Sequence, residues 1–411
     1  MNLFHTFSIL IVLSALFAYI NFRYLKLPAS IGLMLIALVA SIILFIIGTL
    51  FPDILSEVTV FIKSFDFSEL LLGSMLSFML FAGAIHINID DLKREKIPIL
   101  AFSTISVVLS TFIVGGATYY ILPFFGLNIS FISCLLFGSL ISPTDPIAVL
   151  SILKSVNVPK SLETKIAGES LFNDGVAVVV FITIWEAARS PELPTFTEIA
   201  KLFLQEALGG MLLGFLVGYF GFRLMRSINN YKVEVLITLA IVMGGYTLAS
   251  LIHVSGPLAM VVAGILVGNQ GKKYAMSDET REYVSKFWEL LDDILNAILF
   301  VLIGLELLVV ENIGSYVWIG LLTILIVITV RYLTVLIPSF LIRFRDKFDH
   351  KTVLVLTWGG LRGGISIALA LSISANLDKD LWVSLTYFVV AFSILVQGLS
   401  IGKLIKKLKF S

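Results

Sequence analysis

Charge is scarce in this 411-residue chain. Asp, Glu, Lys and Arg make up 14% of the residues, whereas soluble globular domains carry roughly 25%. Cysteine is almost missing, and the single one, Cys134, excludes an internal disulfide. Long polar loops are absent from the sequence, which argues against a large soluble enzyme. The net charge of +1 gives no sign of nucleic-acid binding.

Apolar residues make up 58% of the chain. Runs long enough to cross a bilayer, about 20 residues each, recur from end to end. They predict an all-α polytopic membrane protein with about thirteen transmembrane helices. The predicted spans are 3–22, 29–51, 69–87, 98–123, 129–152, 163–186, 202–224, 233–252, 255–269, 288–310, 315–342, 352–375 and 381–402.

Basic residues divide unevenly between the two sets of loops that these spans define. Of the 29 Lys and Arg residues, 23 fall in one set of alternate loops and the C-terminal tail, and four fall in the opposite set. Because positively charged loops stay in the cytoplasm, we expect a cytoplasmic C-terminus. With thirteen spans the N-terminus is then outside, and the cell membrane is the expected location.

Two predicted spans are interrupted, one in each half of the chain. The fifth carries two prolines within ISPTDPIAVL (141–150), and the twelfth carries four glycines within WGGLRGG (358–364). Proline lacks a backbone N–H and clashes with the preceding turn, and glycine permits irregular backbone. Such a pair indicates an inverted-repeat transporter whose site lies where the two interruptions meet.

Five ionisable residues fall deep in predicted spans, where each costs at least about 2.5–3.5 kcal/mol. They are Asp145, Glu169, Asp174, Arg331 and Arg362. Charges at this depth usually face a bundle interior or a watery cavity, so we interpret them as functional or charge-compensating. Three acids and two bases leave a net charge of −1, which one Na⁺ or one H⁺ would neutralise. The balance favours electroneutral one-for-one exchange.

The segment GESLFNDG (168–175) holds the densest polar cluster. Ser170 and Asp174 are four residues apart, so they share one helix face and can present oxygens to one point. A half-buried carboxylate holds either a proton or a metal cation, and this competition is sufficient for exchange. Near Thr144, the carbonyls freed by the prolines and the hydroxyl are further ligands for a small cation. Asp145 either joins them or caps the broken helix, and the two roles can coexist.

The buried arginines need acidic partners. For Arg362 we expect Glu169, in a pair that is structural. For Arg331 we expect Asp145 or Asp174, the alternative being an arginine that extends to the membrane interface. A polar cluster that only holds helices together is the alternative interpretation for Glu169 and Asp174.

Five motifs resemble those of the monovalent cation/proton antiporter family, in particular its NhaP-type sodium/proton exchangers. They are SPTDP (142–146), GESLFND (168–174), HVSGPLA (253–259), FVLIGLE (300–306) and GGLRGG (359–364). The resemblance implies that helices 5 and 12 are unwound and cross, and that the protein is a homodimer. It also implies a mobile core (about 98–186 and 315–402) that moves against a dimer-forming part (about 1–87 and 202–310).

The same resemblance implies residue roles. Asp174 would be the principal carboxylate for Na⁺ and H⁺, with Ser170 and Thr144 as further ligands of the transported Na⁺. Asp145 would steady the crossing. Asn173, which is also expected among the ion-binding residues, stands where electrogenic relatives carry a second aspartate, so the Asn-Asp form resembles the electroneutral branch.

Two further positions bear on the resemblance. Glu169 and Arg362 match a structural ion pair of the family's core. Many relatives carry a glutamate in an LFEG pattern in helix 3, whereas LFAG puts Ala82 there in this chain. Ion coordination is therefore expected to depend more on water or backbone.

Together these features predict a secondary antiporter that exchanges Na⁺ for H⁺ by alternating access, with Li⁺ and K⁺ left open. No cofactor is expected, and the expected partners are the bilayer, monovalent cations and a second copy of the chain. A cation channel is one alternative, but no ring-like filter sequence is present. A proton-coupled symporter would need a roomier polar site. An intramembrane enzyme is disfavoured because Ser170 has no nearby histidine and no HExxH motif exists.

Overall fold

The structure is a computed structural model that describes residues 3–51, 53, 58–60, 62, 67–155, 158–190, 195–310, 313–342 and 349–408. Within these residues the regular structure is helical, and the only β-type pairing is a single isolated bridge between Asp145 and Leu361. Helices suit a membrane because they satisfy every backbone N–H and C=O within one segment, where no water is available.

The helices follow the predicted spans in order. The first ten are α1 (Leu3–Ile20), α2 (Ala29–Leu50), α3 (Phe67–Leu70), α4 (Leu76–Ile85), α5 (Ile89–Arg94), α6 (Lys96–Leu100), α7 (Ser106–Ile121), α8 (Phe131–Leu140), α9 (Ile147–Ser155) and α10 (Lys160–Arg189). The others are α11 (Phe196–Arg226), α12 (Tyr231–Leu251), α13 (Gly256–Leu266), α14 (Lys272–Tyr274), α15 (Asp278–Glu306), α16 (Val317–Leu341), α17 (His350–Trp358), α18 (Gly364–Ser372), α19 (Lys379–Phe392) and α20 (Gly398–Leu408).

Short segments of other helix types extend several of these helices. The π-helical segments are Asn21–Leu25, Leu71–Met75, Ala101–Ile105, Val267–Gly271 and Ser393–Gln397. The 3₁₀ segments are Leu122–Phe125, Ile313–Tyr316 and Ala375–Leu377. As a result, α3 runs into α4, α6 into α7, and α19 into α20 as continuous rods.

Both predicted interruptions are present, and the all-helical, multi-span architecture is confirmed. The fifth predicted span is split into α8 and α9, and the twelfth into α17 and α18. In the described part of the chain, nine helices are long and apolar enough to cross a membrane. The split spans are not among them, because each half has ten residues or fewer. The number of thirteen crossings therefore stays a prediction.

Helix packing surrounds the interruptions. Helix α8 packs against α7 and α10, and α16 packs against α7, α17 and α19. A second set of contacts joins α2 to α15 and joins α13 to α4, α11 and α12. Helix α10 contacts both sets, because it also packs against α11 and α13. The polar segment of α10 thus lies between the two groups of helices.

Helix α13 lies close to the acidic end of that polar segment because of a glycine. Gly175 of α10 faces Leu258 of α13, and an added Cβ at Gly175 would lie 2.8 Å from the Leu258 Cγ. The start of α13 is fixed by Ser255, whose side chain accepts a hydrogen bond from the Leu258 N–H. Since Gly175 follows Asp174 in the chain, this contact brings α13 next to the part of α10 that carries Asp174.

Candidate ion site at the helix crossing

The two interruptions meet, as the sequence predicts. Residues between α8 and α9 and residues between α17 and α18 are extended where the segments cross. There the Asp145 N–H donates a hydrogen bond of 2.8 Å to the Leu361 carbonyl. This single bridge replaces helical hydrogen bonds that the prolines and glycines do not support.

Backbone carbonyls freed by the first interruption are satisfied by side chains from elsewhere. Arg362, in the second interruption, donates from Nη1 to the carbonyls of Ser142 and Pro143, the latter at 2.8 Å. Buried carbonyls need such partners because an unpaired one costs about as much as a lost hydrogen bond. Arg362 is 2% exposed, so no bulk water could take its place. Arg362 of the second interruption thus stabilises the unwound backbone of the first.

Thr144 is held from two sides by α10. Ser170 donates from Oγ to the Thr144 carbonyl, and Asn173 donates from Nδ2 to the Thr144 Oγ1 at 2.7 Å. The Thr144 N–H lies 3.5 Å from the Asn173 Oδ1. Ser170 and Asn173 are three residues apart and therefore neighbours on the helix surface.

Asp145 caps the second half of its broken helix. Its Oδ1 accepts a hydrogen bond of 2.9 Å from the Ile147 N–H at the start of α9, where the helix dipole favours a negative charge. Gly363 lies directly against it, since an added Cβ there would lie 2.7 Å from the Asp145 Cβ. Asp145 stays partly exposed, so capping leaves part of the carboxylate open.

Asp174 lies one turn beyond Ser170 on α10 and is 9% exposed. The like charge of Asp145 acts on it. Neither buried arginine forms an ion pair with it in the part of the chain that the structure describes. The residue is therefore mostly buried, and neither buried arginine neutralises its carboxylate. These are properties that a reversible cation or proton site requires.

Glu169 pairs with Arg331, and this corrects two expectations. The Arg331 Nη1 lies 2.6 Å from the Glu169 Oε1, whereas the sequence assigned Glu169 to Arg362 and assigned Arg331 to an aspartate. The reason lies in the interruptions. Arg362 donates to the freed carbonyls and is therefore not available to Glu169. Arg331 packs directly against Gly360, where an added Cβ would lie only 2.6 Å from its Nε. Because Gly360 has no side chain, Arg331 can reach Glu169.

Arg331 is also anchored to the second interrupted helix. Its Nη2 donates to the Leu356 carbonyl at 3.1 Å, near the end of α17. With 5% exposure it is an interior arginine, so the alternative of an arginine extending to the membrane interface is wrong. Glu169 also attracts Arg362, but from beyond ion-pair distance.

Two polar residues near the site were missed by the sequence analysis. Asp292 of α15 lies close enough to Asp145 for their charges to repel. Asn296, one turn further along α15, is 6% exposed. A pattern in the sequence could have revealed them, because Asp292 and Asn296 are four residues apart and share a helix face. Ala82 is 1% exposed on α4 and supplies no carboxylate.

Comparisons with known proteins cover nearly the whole chain. Residues 12–407 match the family described as "Sodium/hydrogen exchanger, transmembrane". Over 404 residues the chain is 51% identical to the "Na(+)/H(+) antiporter NhaP" of Pseudomonas aeruginosa, covering 97% of this chain and 95% of that protein. It is 35% identical over 396 residues to the "Na(+)/H(+) antiporter NhaH" of Halobacillus dabanensis, covering 94% and 93% of the two chains.

A solved structure has the same fold. The sodium proton antiporter MjNhaP1 of Methanocaldococcus jannaschii matches with a TM-score of 0.79, over 99% of both chains, at 20% sequence identity. At this identity the match concerns the arrangement of the helices alone.

Proposed function

The chain belongs to the sodium/hydrogen exchanger family, whose members are secondary transporters and not enzymes, and on that premise we propose that it exchanges Na⁺ for H⁺ across the cell membrane. The observation that carries the proposal is Asp174, an interior carboxylate without an arginine partner, beside an unwound helix crossing. Such a group binds a proton or a sodium ion by turns, and an ion gradient supplies the energy.

We propose that Asp174 is the carboxylate that Na⁺ and H⁺ share. Ser170 and Thr144 would complete the Na⁺ site as oxygen ligands. Ser170 donates its hydrogen to the Thr144 carbonyl, so the lone pairs of its oxygen stay available to a cation. The Thr144 hydroxyl accepts from Asn173 and retains a second lone pair. Water would supply the ligands that Ala82 does not.

Asn173 and Asp145 would then shape the site without exchanging the ion themselves. The Asn173 amide both donates to Thr144 and lies at its N–H, a pairing that a carboxylate could not make because it lacks the donor. Asp145 caps α9 and adds negative potential next to Asp174. Asn173 is neutral, so it adds no second titrating acid at this level of α10.

The buried charges support one-for-one exchange. Glu169 and Arg331 cancel as a pair, and the charges of Asp145, Asp174 and Arg362 sum to −1. One Na⁺ or one H⁺ on Asp174 would neutralise the remaining negative charge. A bare buried charge is costly to move through a low-dielectric region. Only the sodium-loaded and protonated forms would therefore cross readily, which couples the two ions.

Alternating access would follow from movement of one helix group against the other. The mobile core would comprise about 98–186 and 315–402, and about 1–87 and 202–310 would form the dimer with a second copy. The contact of α10 with α11 and α13 would be the surface that slides. The loop charges favour a cytoplasmic C-terminus and an outer N-terminus.

The proposal is tested by Asp174→Asn in proteoliposomes with a pH-sensitive dye inside. Na⁺ gradients should drive proton flux in the wild type and none above empty vesicles in the variant. Asp90→Asn is the matched control, because Asp90 is exposed on α5, and it should exchange normally. Li⁺ and K⁺ gradients in the same assay would define selectivity. Strong sodium-driven proton flux through Asp174→Asn would overturn the site.

Stoichiometry needs a separate measurement. The exchange rate should not change when a K⁺ gradient with valinomycin imposes a membrane potential of either sign, since one charge moves each way. A rate that rises with potential would contradict one-for-one exchange and leave the assignment of Asp174 intact.

A further inference from the structure

One buried amide next to the crossing has no hydrogen-bond partner. Asn296 of α15 is 6% exposed, and neither its Oδ1 nor its Nδ2 forms a hydrogen bond in the part of the chain that the structure describes. An unpaired buried polar group costs stability, so it calls for an explanation, and a bound water or ion is one. None of the roles assigned above to Asp174, Ser170 or Thr144 uses Asn296.

The second interruption brings this face of α15 close to the crossing. Helix α15 packs against α18, and a Cβ added at Gly364, the first residue of α18, would lie 2.6 Å from the Leu299 Cδ1. The neighbouring Gly363 lies against Asp145 in the same way. Leu299 and Asn296 are three residues apart and share a face of α15. The glycine pair therefore lets the face of α15 that carries Asn296 approach Asp145.

A carboxylate lies beside this amide. Asp292 is one turn before Asn296 on the same helix face and is partly exposed. The Asn296 amide acts on the Asp292 carboxylate from beyond the distance of a normal hydrogen bond. No Lys or Arg forms an ion pair with Asp292 within the described ranges, and Asp145 repels it. Carboxylate and amide oxygens are hard ligands, and both retain lone pairs for a small cation.

A series of acids leads from the protein surface to this pair. Glu289 and Asp293 are exposed; Glu289 repels Asp293, and Asp293 repels Asp292. Further inside, Asp292 and Asp145 repel each other, and Asp145 acts on Asp174. Negative potential of this kind raises the local concentration of cations. In the proposed topology the basic loop before α15 is cytoplasmic, so the series begins at the cytoplasmic face.

We propose that Asp292 and Asn296 form a second binding site for the transported cation, where Na⁺ waits on its way from the cytoplasm to Asp174. The Asp292 carboxylate and the Asn296 Oδ1 are its protein ligands, and water completes the shell. This site rests on the proposed exchange of Na⁺ for H⁺ at Asp174. Helix α15 belongs to the part proposed to form the dimer (about 202–310), whereas Asp174 lies in the mobile core. An ion at Asp292 therefore remains behind when the core moves, and one-for-one exchange is unchanged.

Thallium(I), a monovalent cation with strong anomalous scattering, locates the site directly. Crystals of the wild-type protein soaked in thallium acetate should show an anomalous peak beside Asp292 and Asn296. Asp174→Asn should keep this peak although it exchanges no ions, because Asp174 is not a ligand of the waiting ion. Absence of thallium beside Asp292 and Asn296 in both proteins would overturn the proposal. Normal exchange by Asp174→Asn would instead overturn the role of Asp174, so the two sites fail separately.

Asn296→Leu separates an ion ligand from a structural residue. Losing one neutral ligand should raise the apparent KM for Na⁺ at the cytoplasmic face about 3- to 10-fold, measured in everted membrane vesicles. The KM at the outer face, measured in right-side-out vesicles, should not change, because the waiting site serves only the cytoplasmic route. An unchanged cytoplasmic KM, or an equal rise at both faces, would overturn the proposal.

Stability provides the second measurement on the same variant. Asn296→Leu should unfold in detergent at the wild-type temperature or above, because the buried amide has no hydrogen bonds to lose. Asn269→Leu is the matched control and should unfold at a lower temperature, since Asn269 donates to the carbonyls of Ile87 and Ile265. A lowered unfolding temperature in Asn296→Leu would make Asn296 a structural residue and contradict its role as a ligand.

Discussion

The two interrupted helices reach a similar backbone geometry by opposite chemistry. The first interruption, between α8 and α9, uses Pro143 and Pro146, which remove N–H donors and leave carbonyls exposed. The second, between α17 and α18, uses glycines, which permit close approach without a side chain. The first presents oxygens and an acid, and the second presents Arg362.

This difference explains how an unwound crossing is stable inside a membrane. Oxygens that a sodium ion could use would also attract any nearby donor, and each carbonyl needs a partner when no ion is present. Arg362 satisfies Ser142 and Pro143, while Ser170 and Asn173 hold Thr144. The second interruption thus supplies the hydrogen-bond donor that stabilises the crossing, and the first supplies the oxygens proposed to bind the ion.

Removing the hydrogen bonds from Arg362 should have the largest effect on stability. Arg362→Leu leaves the Ser142 and Pro143 carbonyls without a donor, and we expect a loss of roughly 3 kcal/mol of stability, because hydrogen bonds to charged groups are worth about 1.5–3 kcal/mol each. Thermal unfolding in detergent measures it. Arg223→Leu, at an exposed position on α11, is the control. An unchanged unfolding temperature in Arg362→Leu would mean that the two interruptions do not depend on each other.

Crowding the crossing should impair exchange more than folding. Gly363→Ala would place a Cβ 2.9 Å from the Asp145 Cγ, and we expect exchange to fall about 10- to 100-fold, as small displacements of reacting groups do. Vesicle exchange assays measure the rate. Gly116→Ala on α7 has no neighbour within 4 Å of the new Cβ and should exchange normally. Equal rates in both variants would show that the close approach is unimportant.

Loosening the first interruption should have a smaller effect. Asn173→Ala removes the 2.7 Å hydrogen bond to Thr144, and we expect about 1 kcal/mol less stability and weaker apparent binding of Na⁺. Thr144→Val removes the acceptor of the same bond, so the double variant should cost little more than either single one. Thr144→Ser keeps the hydroxyl and is the control. Fully additive effects would show that the two side chains act independently.

The smallest effect is expected outside the crossing. Asp292→Asn removes a negative charge that acts near Asp145, so we expect the apparent KM for Na⁺ to rise about 2- to 5-fold at low ionic strength. Choline gluconate should reduce the difference by screening. Asp380→Asn, exposed at the start of α19, is the control. A change in maximal rate with constant KM would place Asp292 in the transport step instead.

Much of this site could be predicted from the sequence because its parts are local. The prolines of 141–150 and the glycines of 358–364 mark the interruptions wherever the helices lie. The spacing of Ser170 and Asp174 puts both on one helix face. The pairing of the charges could not be predicted in this way. Glu169 was assigned to Arg362, yet Arg331 reaches it, because Gly360 leaves the path open and freed carbonyls engage Arg362.

The sequence alone therefore determined the class of protein, the places where two helices break, and some of the charges that are buried, since hydropathy and backbone chemistry act within a few residues. Tertiary structure alone decided which groups meet. Arg362 and Pro143 are 219 positions apart, and their contact depends on the depth and rotation of two helices in the bundle. Asp292 came near Asp145 in the same way, through packing that no short stretch of sequence specifies.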